Sequence, residues 1–156
     1  ELLHETVREL NEARAREGAR LREMLLGRCQ SVQQTVAQLH ERLPEIAARI
    51  RERVGERVAQ LGGSVDPARL EQELVLLAYK MDFVEELDRL GSHVTETLQI
   101  LDAKEPAGRR LDFLMQEFNR EANTLSSKSQ DADTTRAAVD MKVLIEQMRE
   151  QVQNVE

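Results

Sequence analysis

Apolar residues recur along nearly the whole chain at helical spacing. Leu3, Val7, Leu10, Leu21 and Met24 or Leu25 mark a first helix over 1–28. Gly18 and Gly27 are its weak points, each roughly 1 kcal/mol worse than Ala in a helix interior. Gly27 is expected to mark a bend or break. From Val32 the positions Val36, Leu39, Leu43, Ile46, Ile50, Val54, Val58 and Leu61 step by threes and fours, a heptad-like seam that needs a partner helix. Pro44 lies inside that seam. It removes a backbone donor and disfavours helix at Leu43, which predicts a kink or restart. Gly62-Gly63-Ser64 then interrupts the pattern, and Asp66-Pro67 offers an N-cap with proline at the first helical position. The chain turns back near 62–66, so helices over 29–61 and 67–104 are expected to form a long antiparallel hairpin, with Leu70 through Leu98 packing on Val32 through Leu61.

The returning arm carries two stripes. Leu70, Leu74, Leu77, Met81 and Val84 form an apolar one. Beside it, Glu85, Glu86, Arg89, His93 and Glu96 all fall within about 60° of Asp82 when each residue turns the helix by about 100°. Six ionisable groups on one side of a helix could hold a hard divalent cation or shuttle protons, and the commoner meaning of such a run is a solvated face. Pro106 and Gly108 precede a third helix with Leu111, Leu114 or Met115, Phe118, Ala122 and Leu125 on its apolar face. Asp112, Gln116, Asn119 and Asn123 form one polar row on it, and Arg110, Glu117, Glu121 and Lys128 another. After a polar loop, Asp133 is expected to cap a last helix that turns Met141, Leu144, Ile145, Met148, Val152 and Val155 inward. Lys142, Glu146, Arg149 and Gln153 mark its polar side. The fold class is all-α: a helical bundle with a long projecting antiparallel coiled-coil hairpin, the C-terminal helices over 105–156 completing the bundle and carrying the candidate chemistry.

Composition agrees with long helices: 156 residues, 40% of them hydrophobic, with three Phe, one Tyr and no Trp. The length fits one domain with its own core. A single cysteine, Cys29, excludes an internal disulfide and a cysteine-based zinc cluster, and fits a reducing, cytoplasmic setting. No apolar run approaches the ~18 residues of a membrane span. The chain opens at Glu1 without Met, which suggests a piece of something longer. A net charge of −7 argues against a uniformly basic nucleic-acid surface. The charge is uneven, however: residues 1–61 hold 11 basic and 10 acidic side chains, and the remainder holds 11 and 19. Arg42, Arg49, Arg51, Arg53 and Arg57 alternate with Glu41, Glu45, Glu52 and Glu56 without aromatic neighbours, as on a helix face laced with ion pairs. His4, His40, Cys29 and Tyr79 read as structural, and the methionines as core filler.

The segments RLEQELVLLAYKMDFVEELDRLGSH, GRRLDFLMQEFNREANTLSSKS and KVLIEQMREQVQNVE, in that order, resemble the C-terminal region of the YicC/YloC family of bacterial stress-associated endoribonucleases. Residues 1–61 resemble that family's helical arm more weakly. The resemblance implies metal-dependent cleavage of RNA by an oligomeric, hexameric assembly, with no membrane and no small-molecule cofactor. It also implies another domain ahead of this region. The family's motif positions fall on Glu73, Asp82, Glu85, Glu86, Arg89, His93, Arg109, Arg110, Asp112, Gln116, Glu117, Asn119, Arg120, Glu121, Asn123, Lys128, Lys142, Glu146 and Arg149.

Phosphodiester hydrolysis needs an activated water or hydroxyl, stabilised phosphoryl charge and a protonated leaving oxygen. Asp82 and Glu86, with Glu117 and Glu121 from the facing helix, are the expected ligands of Mn²⁺ or Mg²⁺. His93 is a further ligand or the general acid. Glu85, Asp112 and Glu117 join it as catalytic candidates. Arg89, Arg120 and Lys128 are candidates to hold phosphate, with Arg109, Arg110 and Lys142 beside them, and Asn119 and Asn123 to orient water or ribose. Each has a plainer alternative: Glu117 and Glu121 paired with Arg110, Arg120 or Lys128 along their own helix, Lys142 paired with Glu146, the amides bonded within the bundle, and His93 merely packed. A non-catalytic coiled-coil or RNA-binding scaffold is the rival class. A ferritin-like di-metal bundle is set aside, because the only Glu-x-x-His spacing runs from Glu1 to His4.

Overall fold

The computed structural model describes residues 2–60, 71–72, 75, 83–103, 105–129 and 131–153. The expected roles of Glu73 and Asp82, the turn near 62–66 and the stripe from Leu70 to Met81 lie outside them. Four helices form among the described residues: α1 (Leu2–Gln60), α2 (Val84–Asp102), α3 (Gly108–Lys128) and α4 (Ala132–Gln153). The protein is all-α.

α1 corrects two expectations. Its 59 residues, about 90 Å at 1.5 Å per residue, pass through Gly27 and Pro44 without a break. Gly27 is exposed and Ala-like in its space, with nothing within 4 Å of where a Cβ would lie. Pro44 is exposed too, so its ring lies clear of the packed face of α1.

The bundle is a closed ring in which α1 packs on α2 and α4, and α3 packs on α2 and α4. Every neighbouring pair runs antiparallel. Arg22 meets Asp102 at 2.5 Å and His40 meets Asp88 at 3.2 Å across α1 and α2. Across α1 and α4, Arg28 donates to Gln147 at 3.0 Å and Arg42 to Asp133 at 2.8 Å. The apolar faces of α3 and α4 are buried as their periodicity requires, with Phe118, Met115, Met141, Ile145 and Met148 fully enclosed. α1 contributes Leu25, Cys29, Val32, Val36, Leu39 and Ile46. Burial pushes the Cys29 thiol up to about 11, so it stays protonated and inert at neutral pH.

α2 departs from the expected register. Phe83 precedes it with φ −111° and ψ 12°, outside the helical range, and Asp82 lies outside the described residues. The buried stripe is Phe83, Leu87, Leu90 and Val94, and Val84, expected inside, is 37% exposed. Ala103 ends the helix in an extended conformation three residues ahead of Pro106.

The α3–α4 connection is fastened from α1. Asp131, rather than the expected Asp133, caps α4: its Oδ2 accepts from the Thr134 backbone N–H and hydroxyl, both at 3.1 Å. Arg49 reaches Asp131 at 3.3 Å, and Asp133 is taken by Arg42. The hydrogen bond from Arg42 holds the Asp133 carboxyl below its ordinary range. Two arginines of the alternating Arg/Glu run thus brace α1 against the start of α4, besides pairing with Glu45 along their own helix.

Candidate metal centre

The α2–α3 interface brings together residues 24 and 28 positions apart. His93, Glu117 and Glu121 each offer a ligand atom within 4.8 Å of the others. α3 supplies the two glutamates one turn apart on the face beside its apolar stripe, and α2 supplies the imidazole. Phe118 fixes the ring: its fully buried side chain meets His93 edge-on at 5.5 Å and 64°. His93 Nε2 is buried, and no hydrogen-bond partner reaches it among the described residues. A buried, unpartnered ring nitrogen is costly unless something takes it.

Glu121 is nearly enclosed, its side chain 5% exposed, and its counter-charge comes from the facing helix. Arg89 Nη1 donates to Glu121 Oε1 at 3.2 Å, while Nη2 donates to Glu85 Oε1 at 2.6 Å. These bonds, that to Glu121 foremost, raise the guanidinium pKa further above its ordinary value. A second cross-helix pair lies about two turns along: Lys128 Nζ donates to Oε1 of the buried Glu86 at 2.7 Å. Glu86 Oε2 has no hydrogen-bond partner among the described residues. The alternative pairing of Glu121 and Lys128 along α3 is therefore replaced by bonds to α2.

The remaining expected site residues are more scattered. Glu86 is not among the three clustered ligands, being held by Lys128. Asp112 Oδ2 accepts from Gln116 at 2.9 Å, leaving its buried Oδ1 without a partner among the described residues. Asn123 donates to Asn119 at 3.1 Å along α3. Arg109, Arg110 and Arg120 are exposed on α3, and Lys142 is half-buried on α4. Glu146 pairs with Arg149 at 3.4 Å along α4 rather than with Lys142. Sequence reasoning missed the Phe118 edge on His93 and the Arg42 and Arg49 braces. Phe118 sits next to Glu117 in sequence, so its place was recoverable; nothing in the spacing points from Arg42 to Asp133.

One imidazole nitrogen and two carboxylates fit a divalent cation. Ligands on one small cation lie about 3 to 4.3 Å apart for bonds of 2.0–2.2 Å, so the 4.8 Å span needs only a small contraction. The orphaned Nε2 is the observation that favours this fit.

The described helices form an all-α bundle with an imidazole–carboxylate cluster at the α2–α3 interface, and Arg89 and Lys128 bond carboxylates along the same interface. Residues 39–156 match the family described as "Endoribonuclease YicC-like, C-terminal", and the chain belongs to that family. It is 48% identical over 143 residues to a Haemophilus influenzae protein named "Probable endoribonuclease YicC", covering 92% of this chain and 50% of that protein. A Clostridioides difficile protein of the same name is 34% identical over 150 residues, covering 94% of this chain and 51% of the relative. The chain spans about half the length of these relatives.

Proposed function

We propose that this region carries the cation-binding and phosphate-binding side chains of an endoribonuclease that cuts RNA with the help of a divalent metal. The observation that carries the reading is the convergence of His93, Glu117 and Glu121, with the imidazole Nε2 buried and unpartnered among the described residues. The names of the relatives support RNA as the substrate. An imidazole in the donor set favours Mn²⁺ over Mg²⁺, which prefers oxygen ligands.

When bound, such a cation would polarise the phosphodiester and ease deprotonation of the attacking hydroxyl. The chain's own residues do the rest. Glu117 and Glu121 hold negative charge in a partly dry interface, and Phe118 keeps His93 oriented toward them. Arg89, half exposed, and Lys128, partly exposed, lie where phosphate oxygens can approach the rim. Asp112, Arg109, Arg110, Arg120 and Lys142 extend this reading over α3 and α4 as RNA contacts or supports, with Asn119 and Asn123 orienting ribose or water. Asp82 and Glu86 belong to the reading as supporting carboxylates, Glu86 through its bond to Lys128.

Homo-oligomeric assembly is part of the proposal. Leu2, Leu3, Val7 and Leu10 are exposed along the start of α1, an apolar seam of the kind a second helix covers. The same seam favours the second reading, a non-catalytic scaffold. Cleavage of an end-labelled structured RNA by the intact protein separates the two. We expect cutting with Mn²⁺, weaker cutting with Mg²⁺ and none with chelator. Metal-independent cutting would refute the cation reading, and RNA binding without cutting under every condition would leave the scaffold.

A further inference from the structure

The Arg89 guanidinium occupies an unusual position for a residue beside a cation site. It bonds one oxygen of Glu121, a member of the ligand cluster, and its other amino group is anchored on Glu85, which is exposed and outside that cluster. Glu121 is nearly fully enclosed, whereas Arg89 is 51% exposed. Arg89 therefore has one foot on a ligand and one on the rim. Its bond to Glu85, at 2.6 Å, is the shorter of the two. A divalent cation on Glu121 would place two or more positive charges around one carboxylate in a partly desolvated interface, where like charges repel far more strongly than in water. The half of the contact that gives way is the longer one, to Glu121; Glu85 keeps the side chain at the rim.

We propose that Arg89 is a counter-cation latch: it competes with the divalent cation for Glu121, and once displaced it pivots on Glu85 to take an RNA phosphate. This rests on the cation reading above and adds the regulation of that site. Two consequences follow from linkage. Anything that draws Arg89 off Glu121 tightens cation binding, and cation binding makes Arg89 available to phosphate, so RNA and metal promote each other's binding by the same factor. A guanidinium suits this role because its separate amino groups can release one carboxylate while keeping the other. Arg89 bonds Glu121 and Glu85, so loss of Glu117 acts on the cation directly and on RNA only through the cation.

The test is a Mn²⁺ titration of the intact protein, free Mn²⁺ being read by its paramagnetic resonance signal, for wild type, Arg89→Ala, Arg89→Lys and Glu117→Gln, together with KM for a structured RNA. We expect Arg89→Ala to bind Mn²⁺ about tenfold more tightly than wild type and to raise KM for RNA about tenfold, a size typical of one coupling contact. Arg89→Lys should fall between, its single ammonium unable to hold both carboxylates in the same way. Unchanged or weaker Mn²⁺ binding in Arg89→Ala would overturn the latch, making Arg89 a support for Glu121. Tighter Mn²⁺ binding with unchanged KM would overturn the transfer to phosphate. Glu117→Gln separates the two layers. If it binds Mn²⁺ like wild type, the cation site itself is wrong; if it loses Mn²⁺ while Arg89→Ala gains nothing, only the latch fails. Because Arg89 is half exposed and outside the core, its substitution leaves the bundle folded, which circular dichroism checks.

Discussion

Replacing Glu117 by Gln is expected to lower RNA cleavage by the intact protein roughly a hundredfold or more while leaving the helical bundle intact. The substitution keeps the size of a half-buried side chain and removes only its charge. The proposed cation then has one carboxylate and one imidazole in place of three donors. Glu121→Gln should be similarly inactive, with an added consequence: it leaves Arg89 Nη1 a neutral amide oxygen in place of a carboxylate, while Nη2 remains on Glu85. Single-turnover cleavage at saturating Mn²⁺ measures both. A Glu117→Gln protein that cuts within about threefold of wild type would place the chemistry elsewhere.

The second large effect falls on stability. Phe118 is fully buried at the centre of the α2–α3 packing and carries the only ring contact to His93 among the described residues. Phe118→Ala should cost about 3–5 kcal/mol, from lost burial together with a cavity the rigid helices fill only in part. For a chain of this size that lowers Tm by on the order of 10 °C. Phe113 provides the contrast five residues earlier on the same helix. It is 61% exposed, and Phe113→Ala should change stability by no more than about 0.5 kcal/mol. Thermal unfolding of the two variants, followed by circular dichroism, decides the matter. Comparable losses would mean that Phe118 is not the packing centre. Below its melting transition, Phe118→Ala should also bind Mn²⁺ less well than Phe113→Ala, because His93 loses the edge that orients it.

Much of this architecture can be read from local pattern. The apolar faces of α3 and α4 repeat every three to four residues without interruption, and a face that regular has few other ways to be buried. Leu111, Leu114, Met115, Phe118, Ala122 and Leu125 accordingly lie inside, with Met141, Ile145, Met148 and Val152 opposite. The seam from Val32 to Ile46 behaves likewise, because long helices lose their apolar stripe to a partner whatever the partner's sequence.

Breaks were less legible. A glycine and a proline are weak points by propensity, yet α1 runs through Gly27 and Pro44 because both face solvent, where neither a missing side chain nor a missing backbone donor disturbs packing. The converse happened at Phe83, an ordinary helix former by sequence that lies outside the helix next to it. From there α2 turns Val84 outward and Leu87 and Leu90 into the core.

The candidate site was legible in its members and not in its grouping. Spacing on α3 put Glu117 and Glu121 on one face, but only tertiary packing could choose between Arg120 or Lys128 on the same helix and Arg89 on α2. The choice went to α2 because antiparallel packing sets residue 89 opposite 121 and residue 86 opposite 128, where long side chains close the interface between buried leucines. The same limit applies to Arg42 and Arg49. Their alternation with glutamate suggested ion pairs along α1, and some form, but the closer contacts cross the bundle, Arg42 to Asp133 and Arg49 to Asp131.

The most direct test of the central claim is the electron–nuclear double resonance spectrum of Mn²⁺ bound to the intact protein. The cluster predicts a nitrogen coupling from one imidazole, lost in His93→Ala while carboxylate substitution at Glu117 weakens Mn²⁺ binding itself. A bound Mn²⁺ with no nitrogen coupling, or a coupling that survives in His93→Ala, would contradict the assignment of His93, Glu117 and Glu121 as the cation's ligands.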